Sequence, residues 1–300
     1  MPRVAVVTGS NKGIGFAIVR ALCKKLDSSD VVYLTSRDET RGQEAVKKLE
    51  EEGLHPLYHQ LDIADEQSVH RLCDHLQKTH GGLDILVNNA GIQLKYHVSS
   101  LFSPVWFIYV FSQDLKVPFV ERAERTLKTN FFDTVRAYNI LIPAVRSHGR
   151  VVFVASGLGH RGYQLISSEL QTRFRGAKTE EAVQELMEKY LSDVKAGIQK
   201  DQGWQEGDDV YPPYNTSKLG IITLAKVCGE QMANDPREDI LVNSCCPGFV
   251  DTDLTEHMGH RTVDEGAVTS VYLALIPPNS EEPQGRCIDP NVKLLDFLWK

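Results

Sequence analysis

The chain lacks most of what would hold a metal, a disulfide framework or a polyanion. Its six cysteines, Cys23, Cys73, Cys228, Cys245, Cys246 and Cys287, form no C-x-x-C pair and no regular spacing, so neither a zinc site nor a disulfide scaffold is indicated. Reduced thiols in the cytosol fit that usage. The formal net charge of -7 repels phosphate backbones and anionic lipid, which makes nucleic acid and membrane surfaces poor partners. No apolar run approaches the roughly 20 residues of a membrane span. Met1-Pro2-Arg3 leads straight into the short run Val4 to Val7, with no long apolar leader or cleavage site, so a cytoplasmic location is expected. Tandem repeats, low-complexity tracts and Gly/Ser linkers are also missing, and 42% hydrophobic content can fill one sizeable core, so residues 1–300 read as a single domain. His55 and His59 share no third ligand, and His257 and His260 read as solvated, so no metal is expected.

What the chain does have is an alternation of apolar runs and helical patterns. Val4 to Val7, Val31 to Leu34, Leu83 to Val87, Val151 to Val154 and Ile240 to Asn243 are continuous rather than alternating, as strands buried on both faces are. Phe16 to Leu26 and Thr40 to Glu52 carry apolar residues at helical spacing with charged outer faces. Strand, helix, strand repeated predicts an α/β fold with a doubly wound parallel sheet of the Rossmann type. Two stretches interrupt the rhythm. Residues 98–113 are apolar and aromatic around Trp106. Residues 159–207 hold a helical pattern from Thr179, with an apolar stripe through Val183, Leu186, Met187, Tyr190, Leu191 and Val194.

Thr8-Gly9-Ser10-Asn11-Lys12-Gly13-Ile14-Gly15 follows the first strand and opens the first helix. Glycines let backbone turn tightly against a pyrophosphate, which then faces free helix N–H groups and the positive end of the helix dipole. The spacing is a variant of the dinucleotide fingerprint. Taken alone it also fits a tight structural turn or an adenosyl-methionine site. The second strand ends Thr35-Ser36-Arg37, where NAD-binding chains place an acidic residue for the ribose 2'-hydroxyl. Arg37, with Lys12 and Arg41, suits a 2'-phosphate instead. A charge pair at 4 Å near a surface is worth roughly 4 kcal/mol before desolvation, so NADPH is expected over NADH. Asp38 reads as a solvated turn residue that dilutes the preference at most, and Asp62-Ile63 are placed to flank adenine, Asp62 equally reading as a turn residue.

Tyr214-Asn215-Thr216-Ser217-Lys218 sets a phenol and an ammonium four residues apart, on one face of a helix. A free tyrosine titrates near 10 and holds its proton too tightly for efficient acid catalysis at neutral pH. A neighbouring ammonium and an oxidised nicotinamide are expected to stabilise the phenolate. Ser156 follows the run Val151 to Val154, where an open sheet presents side chains to ligand, although such a serine also commonly caps a helix. Asn130 lies in the helical stretch Lys128-Thr129-Asn130-Phe131-Phe132 and is suited to bend it around a proton-relaying water.

These pieces, with Asn88-Asn89-Ala90-Gly91 and Cys246-Pro247-Gly248-Phe249-Val250-Asp251-Thr252, occur in the order of the short-chain dehydrogenase/reductase family. The resemblance covers nearly the whole chain. Within the family it is similar to the NADPH-dependent carbonyl reductases, by Asn11-Lys12, Arg37, Arg41, the Asn130 segment and the long stretch before Tyr214. The resemblance implies that Gly9, Asn11, Lys12, Gly13, Ile14, Gly15, Arg37, Arg41, Asp62, Ile63 and Asn89 bind the adenosine half, its phosphates or the ribose. It implies that Val250 and Thr252, after the Pro247-Gly248 turn, hold the nicotinamide carboxamide. Asn130, Ser156, Tyr214 and Lys218 become a catalytic tetrad, with Tyr214 and Lys218 also against the cofactor. The implied substrates are small-molecule carbonyls: quinones, ketones and aldehydes. Leu94, Lys95, Tyr96, Arg122, Leu158, Trp204 and Phe249 are pocket residues by position. The long segment before Tyr214 implies a monomer, because it covers a surface that oligomeric members use to assemble; equally, its helix merely extends the core.

Two departures stand out. Asp133 replaces the family's usual glycine and is expected to perturb the Asn130 turn. The 98–113 stretch is extra and falls near the substrate side. It reads as an apolar lid, as a partner surface or, in the favoured reading, as translated intron sequence, since it begins with Val and ends Phe-Ser-Gln as splice boundaries would encode. The alternative function is an NADPH-binding protein whose catalysis this stretch impairs.

Overall fold

The computed structural model describes residues 1–94, 117–204 and 211–298. Lys95, Tyr96 and the 98–113 stretch lie outside the described residues. Seven strands, β1 (Val4–Val7), β2 (Val31–Ser36), β3 (Leu57–Gln60), β4 (Leu83–Asn88), β5 (Val145–Val154), β6 (Leu241–Cys245) and β7 (Cys287–Ile288), form one sheet. Their order is β3-β2-β1-β4-β5-β6-β7, and every neighbouring pair is parallel.

The continuous apolar runs follow from helices on both faces. Successive side chains of a strand point to opposite sides. Val4 and Val6 therefore join one core cluster and Ala5 and Val7 the other. Helices α1 (Gly13–Lys25) and α2 (Glu39–Glu51) cover the second face, and α3 (Glu66–His80), α4 (Phe119–Leu127) and α5 (Thr134–Leu141) the first. Strand β3 was not marked by an apolar run, because it lies at the sheet edge, where half-exposed residues carry little pattern. The opposite edge, β7, has two residues and no periodicity to read.

The segment before Tyr214 folds as three helices, α6 (Gly157–Leu165), α7 (Ser168–Gly176) and α8 (Glu180–Ala196). Thr179 caps α8, its hydroxyl accepting from the Ala182 N–H at 3.2 Å, as the pattern predicts. The α8 stripe joins the first core cluster and packs on α4 and on α9 (Pro212–Met232). Trp204 is fully buried, donates from Nε1 to Asp193 at 2.7 Å, and meets Phe174 and Tyr190 edge-on. Its sequence position suggests a pocket wall; the structure makes it the core of the insertion instead, because α7 and α8 need a large apolar anchor between them. On the second face, α10 (Val263–Ala274) completes the fold. No helix among the described residues is long and apolar enough to cross a membrane.

Candidate active site

Strand order reverses between β1 and β4, which opens a crevice at their carboxyl ends. The glycine loop fills the β1 side. Gly9 turns there at φ 61°, and a side-chain carbon added at Gly15 would come within 2.5 Å of Asn89 Nδ2, so the helix start sits flush on the β4 loop. Thr8 ties the two loops together. Its hydroxyl accepts from the Asn89 and Ala90 N–H groups, each at 3.0 Å, while Asn89 Nδ2 donates to the Thr8 and Gly9 carbonyls. Thr8 was overlooked as a site residue, although it is the first letter of the loop motif. No side chain caps α1, whose N-terminus opens on the crevice. An uncapped helix end beside Lys12, Arg37 and Arg41 is a donor set suited to a dinucleotide phosphate, so the residues present fit NADPH.

The cations nearby have exposed, exchangeable partners. Lys12 Nζ lies 2.5 Å from Asp253, in the loop after β6, with both side chains mostly exposed. Arg41 Nε is 3.6 Å from Asp38. Asp38 is exposed, as expected, and also caps α2, accepting from the Arg41 N–H at 3.0 Å. Arg37 is exposed at the end of β2, and its carbonyl accepts from Gln60. Asp62 folds back to accept from the Ala64 N–H, a turn role consistent with its place after β3. Across the crevice, Gly248 turns at φ 84° and Thr252 brings its methyl over Gly13. Ile14 and Val250 converge on Gly266. Pro247 to Thr252 thus face the glycine loop, as the motif order implies.

The catalytic candidates meet at the carboxyl end of β5. Ser156 caps α6, accepting from the Leu158 N–H at 3.1 Å, and also hydrogen-bonds Tyr214. The cap and the Tyr214 contact therefore coexist in one side chain. Tyr214 and Lys218 lie in α9, one turn apart, both buried. Lys218 Nζ sits 5.6 Å from the centre of the Tyr214 ring and donates to the Val154 carbonyl at 2.9 Å. Asn130 is 2% exposed, in a π-helical turn spanning Lys128–Asp133. Its carboxamide pairs with both backbone groups of Ile92, at 2.7 and 2.8 Å, and donates to Ser217 Oγ at 3.2 Å. Ser217 in turn donates to the Tyr214 carbonyl at 2.8 Å, a link that the sequence reading missed.

Burial pushes the Tyr214 phenol well above its ordinary value, the Cys246 thiol beside it adds to this, and the Ser156 hydrogen bond opposes it. In the protein alone, the loss of hydration outweighs the Ser156 hydrogen bond. Burial acts on Lys218 too, bringing its ammonium down to about 8. Cys246 Sγ accepts from the Gly157 N–H at 3.0 Å, and burial raises both it and Cys245, the latter to about 12, as for unreactive interior thiols.

Among the pocket candidates, Leu94 and Leu158 are half-buried, and Phe249 is largely exposed with its ring beside His260. Arg122 is buried in α4 over the Phe119 ring, near Tyr190. His257 is exposed and pairs with Asp251 and Asp253, and that pairing raises its pKa.

Comparisons with known proteins agree with this geometry. A family model described as short chain dehydrogenase matches residues 3–168. Carbonyl reductase (NADPH) 3 from Rattus norvegicus is 46% identical over 97% of this chain and 97% of its own. Carbonyl reductase (NADPH) 1 from Homo sapiens is 44% identical over 95% of each chain. Among solved structures, salutaridine reductase from Papaver somniferum superposes with a TM-score of 0.78 at 31% identity, covering 95% of this chain and 99% of its own.

Proposed function

Because this chain belongs to the short-chain dehydrogenase/reductase family, we propose that it reduces carbonyl groups of small molecules with NADPH. The observation that carries this reading is the meeting of half-buried Ser156 with buried Tyr214 and Lys218 at the carboxyl edge of the sheet. Bound NADPH supplies the hydride. The chain's own residues do the rest. The Ser156 and Tyr214 hydroxyls hold the carbonyl oxygen, and Tyr214 donates the proton from its hydroxyl as negative charge develops there. Lys218, anchored by the Val154 carbonyl, places its ammonium against the phenol ring and favours the phenolate left behind. Asn130, fixed on Ile92, supports a water that returns a proton towards Lys218.

Lys12, Arg37 and Arg41 hold the 2'-phosphate, with Gly9, Asn11, Gly13, Ile14, Gly15, Asp62, Ile63 and Asn89 around the rest of the adenosine half. Pro247, Gly248, Val250 and Thr252 form the nicotinamide side. Leu94, Lys95, Tyr96, Arg122 and Phe249 belong to the substrate side. The packing of α8 on α4 and α9 supports a monomer, since it occupies faces that would otherwise be free for another subunit. A cytoplasmic setting accords with six cysteines that are all unpaired. The complete hydrogen-bonded set around Tyr214 speaks against the impaired alternative. Mixing the purified chain with NADPH and menadione should consume the cofactor, followed by its absorbance. Tight NADPH binding without turnover would instead defeat the reductase reading.

A further inference from the structure

Asp133 is expected from the sequence to disturb the turn at Asn130. In the structure its carboxylate is 1% exposed and fully engaged. Lys128 Nζ donates to both oxygens, at 3.0 and 2.8 Å, and Arg136 Nη2 donates to Oδ1 at 2.7 Å. The Lys128 and Asp133 positions are the two ends of the π-helical turn. In an ordinary α-helix, side chains three and four residues apart face each other. That register would set Phe131 or Phe132 against Lys128. Five residues apart, the pair meets only when the turn is widened, so the ion pair favours the π form over the α form. Thr134 reinforces the same register, its hydroxyl donating to the Thr129 carbonyl at 3.3 Å. Asn130 sits inside this turn, its carboxamide directed at Ile92. Arg136 extends the clamp with a second bond from Nη2, to the Ile63 carbonyl at 3.0 Å, which fastens the turn to the loop after β3.

We propose that Asp133 is a positioning residue: its buried carboxylate, clamped by Lys128 and Arg136, holds the π-helical turn that aims Asn130 into the proton relay. The inference rests on the assignment of Asn130 to that relay. Removing the charge lets the turn relax towards the α register and rotates the carboxamide away from Ile92. NADPH contacts are left alone, so the effect falls on kcat and not on KM for the cofactor.

The test uses the full chain with NADPH and menadione. Asp133→Asn should lower kcat about tenfold, short of the roughly hundredfold that a 1 Å misplacement costs, and leave KM for NADPH within about twofold. Combined with Asn130→Ala it should add nothing to the loss that Asn130→Ala causes alone, because both act through one group. Lys128→Met should lower kcat in the same direction, and Lys128→Arg should restore it. Lys128 is mostly exposed, so this pair carries the test if Asp133→Asn fails to fold. Unchanged kcat in Asp133→Asn with only a lower Tm would overturn the proposal, as would losses that simply multiply with Asn130→Ala. Should Asn130→Ala itself leave kcat unchanged, the relay assignment fails and takes the proposal with it.

Discussion

At the adenosine end of the crevice the charged groups are exposed, and each can trade its present partner for another: Lys12 with Asp253, Arg41 with Asp38. At the catalytic end the ionisable groups are buried, and desolvation rather than pairing sets their protonation. Exposed pairs of this kind are worth about 0–1 kcal/mol each, so a phosphate displaces them cheaply. Buried groups cannot be exchanged, and their chemistry is sensitive to any change in packing. On the proposed assignment, affinity and reactivity lie at opposite ends of a single crevice.

The largest break in that comparison comes from Tyr214→Phe. Removing the hydroxyl should lower kcat about 10³-fold, the middle of the range for positioned proton transfer, while NADPH affinity, measured by fluorescence titration, stays within about twofold. A parallel loss of NADPH binding would mean that the two ends are not independent. Arg37→Ala works from the other end. It should raise KM for NADPH by about tenfold, corresponding to roughly 1.4 kcal/mol, with kcat little altered and NADH kinetics unaffected. Equal effects on both cofactors would refute the 2'-phosphate assignment.

The smallest and sharpest test is pH. Burial lowers Lys218, so its ammonium prevails below about 8 and is lost above. Tyr214 moves the opposite way and keeps its proton over that range. The value of kcat/KM for the carbonyl substrate should therefore be level below pH 8 and fall above it, reporting the free enzyme. A profile that rises above pH 8 would contradict the need for the ammonium. NADPH affinity that falls in step with it would again merge the two ends.

Much of this was legible in the chain before any coordinates. The both-faces-buried runs marked β1, β2, β4, β5 and β6, and the glycine loop and the Tyr214 to Lys218 spacing fell on the elements that carry them. Short or edge strands were not legible, because β7 has too few residues for a period and β3 is half-exposed. The turn at Asn130 was expected to bend, but its π register was not readable, since α and π turns draw on the same residue types and differ only in which side chains meet. Trp204 was misjudged because a lone aromatic near the site in sequence says nothing about which face of the insertion it enters.

Local chemistry sufficed for whatever depends on neighbours in the chain: strand periodicity, the open helix end after Gly13, the cap at Thr179, and an ammonium one turn from a phenol. The direction in which Tyr214 titrates, the reach of Lys12 to a residue 241 positions away, and the use of Asp133 as a clamp were left to the tertiary structure. Desolvation and long-range pairing depend on what packs from other elements, and only the folded chain brings those together.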